Sequence, residues 1–504
     1  MKIRTNIFKR LGLAAMVGGM ILTATSCESL LETNPRQSID ATIALQTRGG
    51  VEAAINSVYA RLRSGDNYGR ALLADADALA DIGVATGNSG RQINQARNQF
   101  GTHLDTWQNN YYAINEINLI LEAIPQLNDT PPVSPEEAAG WEGELKFLRA
   151  LYYFDLAKVY AYIPGAVVQA NDRGGVPVVT EGVITSEGAL NRLPGRGAIG
   201  DAYAQMVSDL NDAISLLADS NNRNFASKGA AHALLARVAL YTKDYPTAIT
   251  NAEAALASSV GTVLQGDDYV SGWRSDAHPE SMFEVRFFNA SEGTGGVNAS
   301  LQASFTSIID LSNPQNQGGW GDFVPNAQLL SELQVSASGS GNDPRAYEVT
   351  RGDDVRAQLY NVGNGRGSGP KLECTKFLGK IGVPYIDNVP VIRKSEMLLI
   401  LAEAKTYAST LDVNGALENL NALRTARGLA PFESSDAAEI FEEVLLQRKL
   451  EFAFEGHRFF DLKRLGRDII KPQGDVPFTD VRILASIPQR EVDGNPNLVQ
   501  NEGY

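Results

Sequence analysis

Two cysteines and four histidines among 504 residues leave little room for several classes of chemistry. Cys27 and Cys374 are too few for a disulfide framework. No pair among His103, His232, His278 and His457 has the i, i+4 spacing of a zinc helix, and no cysteine cluster exists, so neither a metal nor a cofactor is expected. Gly-x-Ser-x-Gly, the usual serine-hydrolase elbow, is missing. The glycine run that ends Gly369-Pro370-Lys371 lacks the Gly-Lys-Ser/Thr close of a phosphate-binding loop. Basic charge is also scarce. The formal net charge is −15, and four of the bases (Lys2, Arg4, Lys9 and Arg10) belong to the extreme N-terminus. A partner with a phosphate backbone needs clustered Lys and Arg, so nucleic-acid binding is excluded. No stretch after the N-terminus is long and apolar enough to cross a bilayer. Glycosidase carboxylates can come from any part of a chain, so its 59 acids decide nothing about hydrolysis.

What is present begins with a targeting segment. Lys2–Arg10 is a basic stretch, and Leu11–Ser26 is uncharged and mostly apolar or small. Ala24, Thr25 and Ser26 then precede Cys27 in a pattern that resembles a lipobox, which makes Cys27 the expected lipidation site and new N-terminus. An acylated Cys27 leaves Cys374 without a disulfide partner. The expected body is therefore soluble and tethered.

Near the other end, Arg448-Lys449-Leu450-Glu451-Phe452-Ala453-Phe454-Glu455-Gly456-His457-Arg458-Phe459-Phe460-Asp461 begins on a helix expected to run to Gly456. Asp436 and Glu439 read as its N-cap and capping box, and Ile440, Phe441, Val444 and Leu445 as its apolar face. Gly456 reads as its left-handed stop. Buried charges must find partners, so Arg448, Glu451, Glu455, Arg458 and Asp461 are expected to form a structural ion-pair network, not a catalytic cluster. The stretch resembles the C-terminal signature of SusD/RagB-like proteins, lipid-anchored nutrient-binding proteins of Bacteroidetes outer membranes. It departs from the usual pattern at Gln447, where the family has Glu.

Other segments resemble the same family in order. They are Glu28–Pro35 after Cys27, Leu148–Phe154, Gly174–Val179, and the ending Ser486–Tyr504. Between them, helical periodicity runs through Thr47–Arg63, Trp107–Ile124, Trp141–Tyr162 and Ala202–Leu217, while Leu72–Ile82 is ambiguous. Ser227–Leu256 has the small-residue spacings of a tetratricopeptide repeat (TPR), and Ser395–Arg427 looks like a second copy. Strand-like runs are Met282–Phe288 and Val389–Ile392. The expected fold is mostly α and SusD-like. Four TPR-type helix pairs would form a right-handed superhelical scaffold, with an irregular, loop-rich ligand-binding region. The expected divisions are 1–26 (signal), 27–264 (helical, pairs 1–3), 265–390 (irregular insertion) and 391–504 (pair 4 and signature).

The resemblance implies a surface-exposed lipoprotein of the outer membrane, and not an enzyme. Such a protein binds an oligomeric nutrient, a glycan ahead of a peptide, and delivers it to a SusC-like TonB-dependent transporter. Ligand would meet the irregular part, where aromatic faces pack on sugar C–H surfaces and amides or Arg bond the hydroxyls. Trp320, framed by Gly318, Gly319 and Gly321, is the first candidate. Trp273 and Tyr269 share its insertion, and Asn88 and Arg91 come from the polar stretch Gly83–Gln99. Phe287 and Phe288 are adjacent, so only one of them can face outward. Two rival classes are a lipid-anchored hydrolase and a TPR scaffold that binds only proteins.

Overall fold

Apolar side chains at three- and four-residue intervals lay out the long helices, and local caps fix where they begin. The computed structural model describes residues 44–101, 103–289, 298–316 and 318–504. The expected signal segment and Cys27 lie outside these residues. All that follows concerns the unit Gln46–Tyr504.

Helix α1 (Arg48–Arg61) starts where the Thr47 hydroxyl accepts the Gly50 N–H, and it buries Val51, Ile55 and Val58. Helix α2 (Trp107–Ala123) buries Trp107, Ile114, Ile117 and Ile120. Helix α3 (Pro135–Tyr160) begins at Ser134, with Pro135 in the first turn where no N–H is needed. Then come α4 (Ile199–Leu216), α5 (Lys228–Tyr241), α6 (Tyr245–Ala257), α7 (Lys394–Ala404), α8 (Val413–Ala426), α9 (Ala437–Glu451) and α10 (Arg458–Arg464). They pack as pairs, α1 with α2, α3 with α4, α5 with α6, and α7 with α8. Successive pairs join where α4 meets α5 and α6 meets α7. Alanines allow the close approach, since Ala230, Ala233, Ala236, Ala248, Ala252 and Ala402 are all fully buried. Tyr245 and Tyr407 stack across the last junction with centroids 3.9 Å apart. Among the described residues, no helix is long and apolar enough to cross a membrane.

Among the described residues, four two-stranded antiparallel ladders accompany the helices: β1 (Gly83–Ala85) with β3 (Phe323–Pro325), β2 (Ser281–Val285) with β8 (Val389–Arg393), β4 (Val335–Gly339) with β5 (Tyr347–Arg351), and β6 (Tyr360–Gly363) with β7 (Lys371–Cys374). The two strand-like runs expected from sequence thus pair with each other. Beyond β2, Phe287 is 5% exposed and Phe288 is 60% exposed, so only one of the two rings faces outward. The β1–β3 ladder joins the polar stretch after Ile82 to the irregular insertion across more than two hundred residues of sequence. The ambiguous stretch Leu72–Ile82 forms a wide π turn over Ala71–Asp75, running into a short helix over Ala76–Leu79. Its buried Asp77 accepts the Gly456 N–H at 3.0 Å.

At the signature helix the structure corrects two expectations. The Asp436 side chain caps α9 by accepting the Ala438 N–H at 2.8 Å, but Glu439 does not close a capping box. Its carboxylate takes the Ser434 hydroxyl instead, and Ser434 Oγ accepts the Asp436 N–H. The helix also ends at Glu451, five residues before Gly456. The chain then turns through two left-handed residues, Phe454 at φ +68° and Gly456 at φ +79°. Gly456 is required there for a second reason, because a Cβ would lie 2.1 Å from the Leu72 carbonyl oxygen.

Candidate ligand-binding site

The five signature charges do not pair mainly with one another. Within the set only Arg448 and Asp461 do so, at 3.0 Å. Asp461 also takes Arg464, which holds Glu403. Arg458 reaches back to Asp81 at 2.8 Å. Glu451 and Glu455 belong to a separate buried cluster. Arg393 Nη1 lies 2.7 Å from Glu451 and 2.6 Å from Glu280, and Arg393 Nη2 lies 2.8 Å from Glu455. Arg427 bridges Glu280 and Glu451, Lys376 meets Glu455 at 2.7 Å, and Arg356 pairs with Asp354. Gln447 gives Arg356 an amide oxygen at 2.7 Å where the family pattern has a carboxylate. Four cations thus face four carboxylates, Asp354, Glu280, Glu451 and Glu455, and this balance is what makes burial of so many charges tolerable. Burial by itself would raise the Glu451 carboxyl, but Arg427 and Arg393 outweigh it and hold it well below the usual carboxylate range. The partners come from the insertion and the helical scaffold alike, so the cluster clasps one to the other.

Two of the expected ligand residues serve that clasp. Tyr269 is fully buried, with the Arg427 guanidinium 4.0 Å from its ring centroid. Trp273 is 5% exposed and packs against Lys376, Arg393 and His278. Neither ring reaches a surface where a ligand could stack. The reason is electrostatic as well as steric, since aromatic faces cover the guanidinium groups of a dry ion cluster.

The other three candidates meet. The β1–β3 ladder carries the polar loop after Ala85 onto the Trp320 segment. There Asn88 Nδ2 donates to the Trp320 carbonyl at 2.7 Å, and Thr86 Oγ1 donates to the Gly321 carbonyl at 2.8 Å. Arg91 donates from Nε and Nη2 to Asp322 Oδ2, at 3.0 and 2.7 Å, and the Ser89 N–H donates to Asp322 Oδ1. Trp320 is half-buried on this bulge. The bulge is pressed onto the helix Leu301–Phe305, with the Trp320 and Gly321 N–H groups on the Ala303 carbonyl. A Cβ at Gly319 would sit 2.2 Å from the Thr306 carbonyl oxygen, which explains the glycine before the ring.

Beneath lies Glu373 of β7, fully buried, accepting from Thr306 Oγ1, Ser307 N and Ser307 Oγ. Burial pushes its carboxyl up, while those hydrogen bonds pull the other way. Arg366 is not among the residues that the sequence pattern singles out. This residue, in the glycine loop after β6, sits over the Trp320 ring with its guanidinium carbon 4.2 Å from the centroid. In the sequence the loop reads only as a glycine run. Its one arginine among glycines was the available signal.

Among the described residues no group of His, Cys, Asp and Glu could hold a metal ion. A separate cleft of about 400 Å³ lies between the start of α2 and the C-terminal segment, lined by Trp107, Tyr111, Tyr112, Leu190, Leu193 and Leu498 among others.

Two family models match the chain. One is described as the SusD family and covers residues 385–504; the other, described as "Starch-binding associating with outer membrane", covers residues 31–240. The chain belongs to the SusD family. Curated SusD-like relatives from Formosa agariphila align over nearly the whole length. SusD-like protein P38 is 23% identical over 99% of both chains, and SusD-like protein P2 is 24% identical over 96% of this chain and 98% of its own. The fold is SusD-like too. A SusD superfamily protein from Bacteroides vulgatus superposes with a TM-score of 0.74 at 25% identity, covering 91% of this chain and 99% of its own. One from Bacteroides thetaiotaomicron gives 0.75 at 24% identity, covering 90% and 99%. A laminarin-binding SusD-like protein gives 0.68 at 23% identity, covering 91% and 100%.

Proposed function

We propose that this chain is a surface-exposed lipoprotein, held at the outer membrane by an acylated Cys27. It binds an oligomeric glycan without turning it over and hands it to a SusC-like TonB-dependent transporter. The observation that carries this reading is the Trp320 bulge. One half-buried indole is set on glycines, its backbone tied down by Asn88, with Arg91 on the neighbouring Asp322 and Arg366 over the ring. An indole face packs on sugar C–H surfaces. Membership of a family with a starch-binding description, and likeness to a laminarin-binding protein, favour a glycan over a peptide.

Asn88 and the Arg91–Asp322 pair act mainly by positioning, since their polar atoms are spent on the bulge itself. The four helix pairs form a TPR-type right-handed superhelix whose face meets the transporter. The working divisions are 27–264, 265–390 and 391–504, with ligand at the irregular part. Residues 28–504 should give binding heat with a glycan pool and leave it intact by product analysis. Product release on the order of 1 per second or faster overturns the reading.

A further inference from the structure

Among the described residues, two aromatic residues have a left-handed backbone, Phe454 at φ +68° and Tyr385 at φ +69°. A bulky side chain there is strained, and it persists only where its surroundings hold it. For Phe454 the compensation lies in the core, where its buried ring packs on Phe305, Phe323 and Tyr360. Tyr385 has no such company. It is half-exposed, and among the described residues its ring meets no other ring and its hydroxyl no hydrogen-bond partner. Its backbone is nonetheless held firmly. The Tyr385 N–H donates to Gln302 Oε1 at 2.7 Å, and the fully buried Gln302 donates from Nε2 to the Ile308 carbonyl at 3.1 Å. Residues 379–388 are closed as a loop by Asp387 Oδ1, which accepts the Gly379 N–H at 2.7 Å, and by Asn388 Oδ1, which accepts Lys380 Nζ at 2.6 Å.

The support under Tyr385 is also the support of the Trp320 bulge. Gln302 takes the Tyr385 N–H, and its neighbour Ala303 takes the N–H groups of Trp320 and Gly321. The glycines before the indole press on the same backbone. A Cβ at Gly318 would lie 2.9 Å from the Ile308 carbonyl oxygen, and one at Gly319 would lie 2.8 Å from that of Gln302. Burial raises the Tyr385 phenol, and the Arg366 guanidinium, which sits over the Trp320 ring, opposes it. Both half-exposed rings therefore rise from one short helix, on the same side as Arg366. Strain that internal packing does not offset belongs where a residue is held ready for a ligand. We infer that Tyr385 is a second aromatic contact for the glycan, its ring set beside Trp320, with Gln302 as its positioning residue. The inference rests on the glycan-binding reading above and adds a second sugar-packing face to that same site.

The test is calorimetry on residues 28–504 with oligosaccharides released from laminarin, starch, xylan and galactan, carried forward with whichever binds wild type. Tyr385→Phe keeps the ring and removes the hydroxyl. Tyr385→Asn removes the ring and puts in a residue that tolerates a left-handed backbone. The expected affinity is about tenfold weaker in Tyr385→Asn and within about twofold of wild type in Tyr385→Phe. The melting temperature of Tyr385→Asn should equal or exceed that of wild type, because the backbone strain is relieved. Weaker binding without loss of stability is a result that a purely structural tyrosine does not give. Unchanged affinity in Tyr385→Asn overturns the inference. So does a Tyr385→Phe as weak as Tyr385→Asn, or a loss of affinity that comes with a lower melting temperature. Each of these leaves the glycan reading standing. Failure of wild type to bind any of the four probes, with a peptide pool binding instead, overturns both.

Discussion

Trp320, Tyr269 and Trp273 offer the same ring chemistry, and their surroundings give them different work. Trp320 is lifted onto a glycine-framed bulge, whereas Tyr269 and Trp273 close over arginines in the core. Tyr269→Phe separates the two roles. Its hydroxyl has no hydrogen-bond partner inside, so removing it should leave stability within about 1 kcal/mol in urea denaturation and leave glycan affinity unchanged. A tenfold loss of affinity would return Tyr269 to the ligand. Glu451 is the complementary case. Glu451→Ala strands the buried Arg393 and Arg427 and should cost roughly 3–5 kcal/mol. A cost under about 1 kcal/mol in the same denaturation series would mean that Glu280 and Glu455 suffice for both arginines.

Among the elements, the turn after α9 carries the tightest steric demand. Gly456→Ala places a Cβ against the Leu72 carbonyl oxygen at a left-handed φ, and should destabilise by roughly 2–4 kcal/mol. Gly49→Ala, at the start of α1 with open space around it, should be neutral or stabilise by about 1 kcal/mol. Similar thermal midpoints for the two variants would contradict the packing described here. The helices were legible because burial repeats every three to four residues, as at Val51, Ile55 and Val58. The runs behind β2 and β8 were legible as strands, though not as partners. What sequence spacing does not encode is who meets whom across the fold. Hence the signature charges read as one network when their partners were Arg393, Arg427, Lys376 and Asp81 from elsewhere. Asn88, Arg91 and Trp320 fell together only because β1 pairs with β3, and Phe454 gave no sign of its positive φ.

For the molecule as a whole, the buried arginine–carboxylate clusters set the acid response. Burial would raise Glu396, but Arg237 outweighs it and brings the carboxyl down to about 2, and Glu451 is likewise lowered. A carboxyl depressed in the folded state adds stability that is present above the unfolded carboxylate range of about 4. That stability is lost as pH falls toward 2. Asp387 is opposite in sign. Burial pushes it up to about 6, so its contribution shrinks as pH rises from about 4 to 6. His103, His278 and His457 are held below the ordinary imidazole value by desolvation, His103 and His457 down to about 3, so they stay neutral in the fold and protonate on unfolding. The urea midpoint should therefore decline from pH 7 to 5 and fall more steeply below about 4. A midpoint that does not fall between about pH 4 and 3 would contradict the assignment of the clusters. The most direct test of the whole account is one titration of wild type and Trp320→Ala with whichever glycan wild type binds. The account predicts an affinity loss of about tenfold or more, with the melting temperature unchanged. Undiminished binding by Trp320→Ala would contradict it.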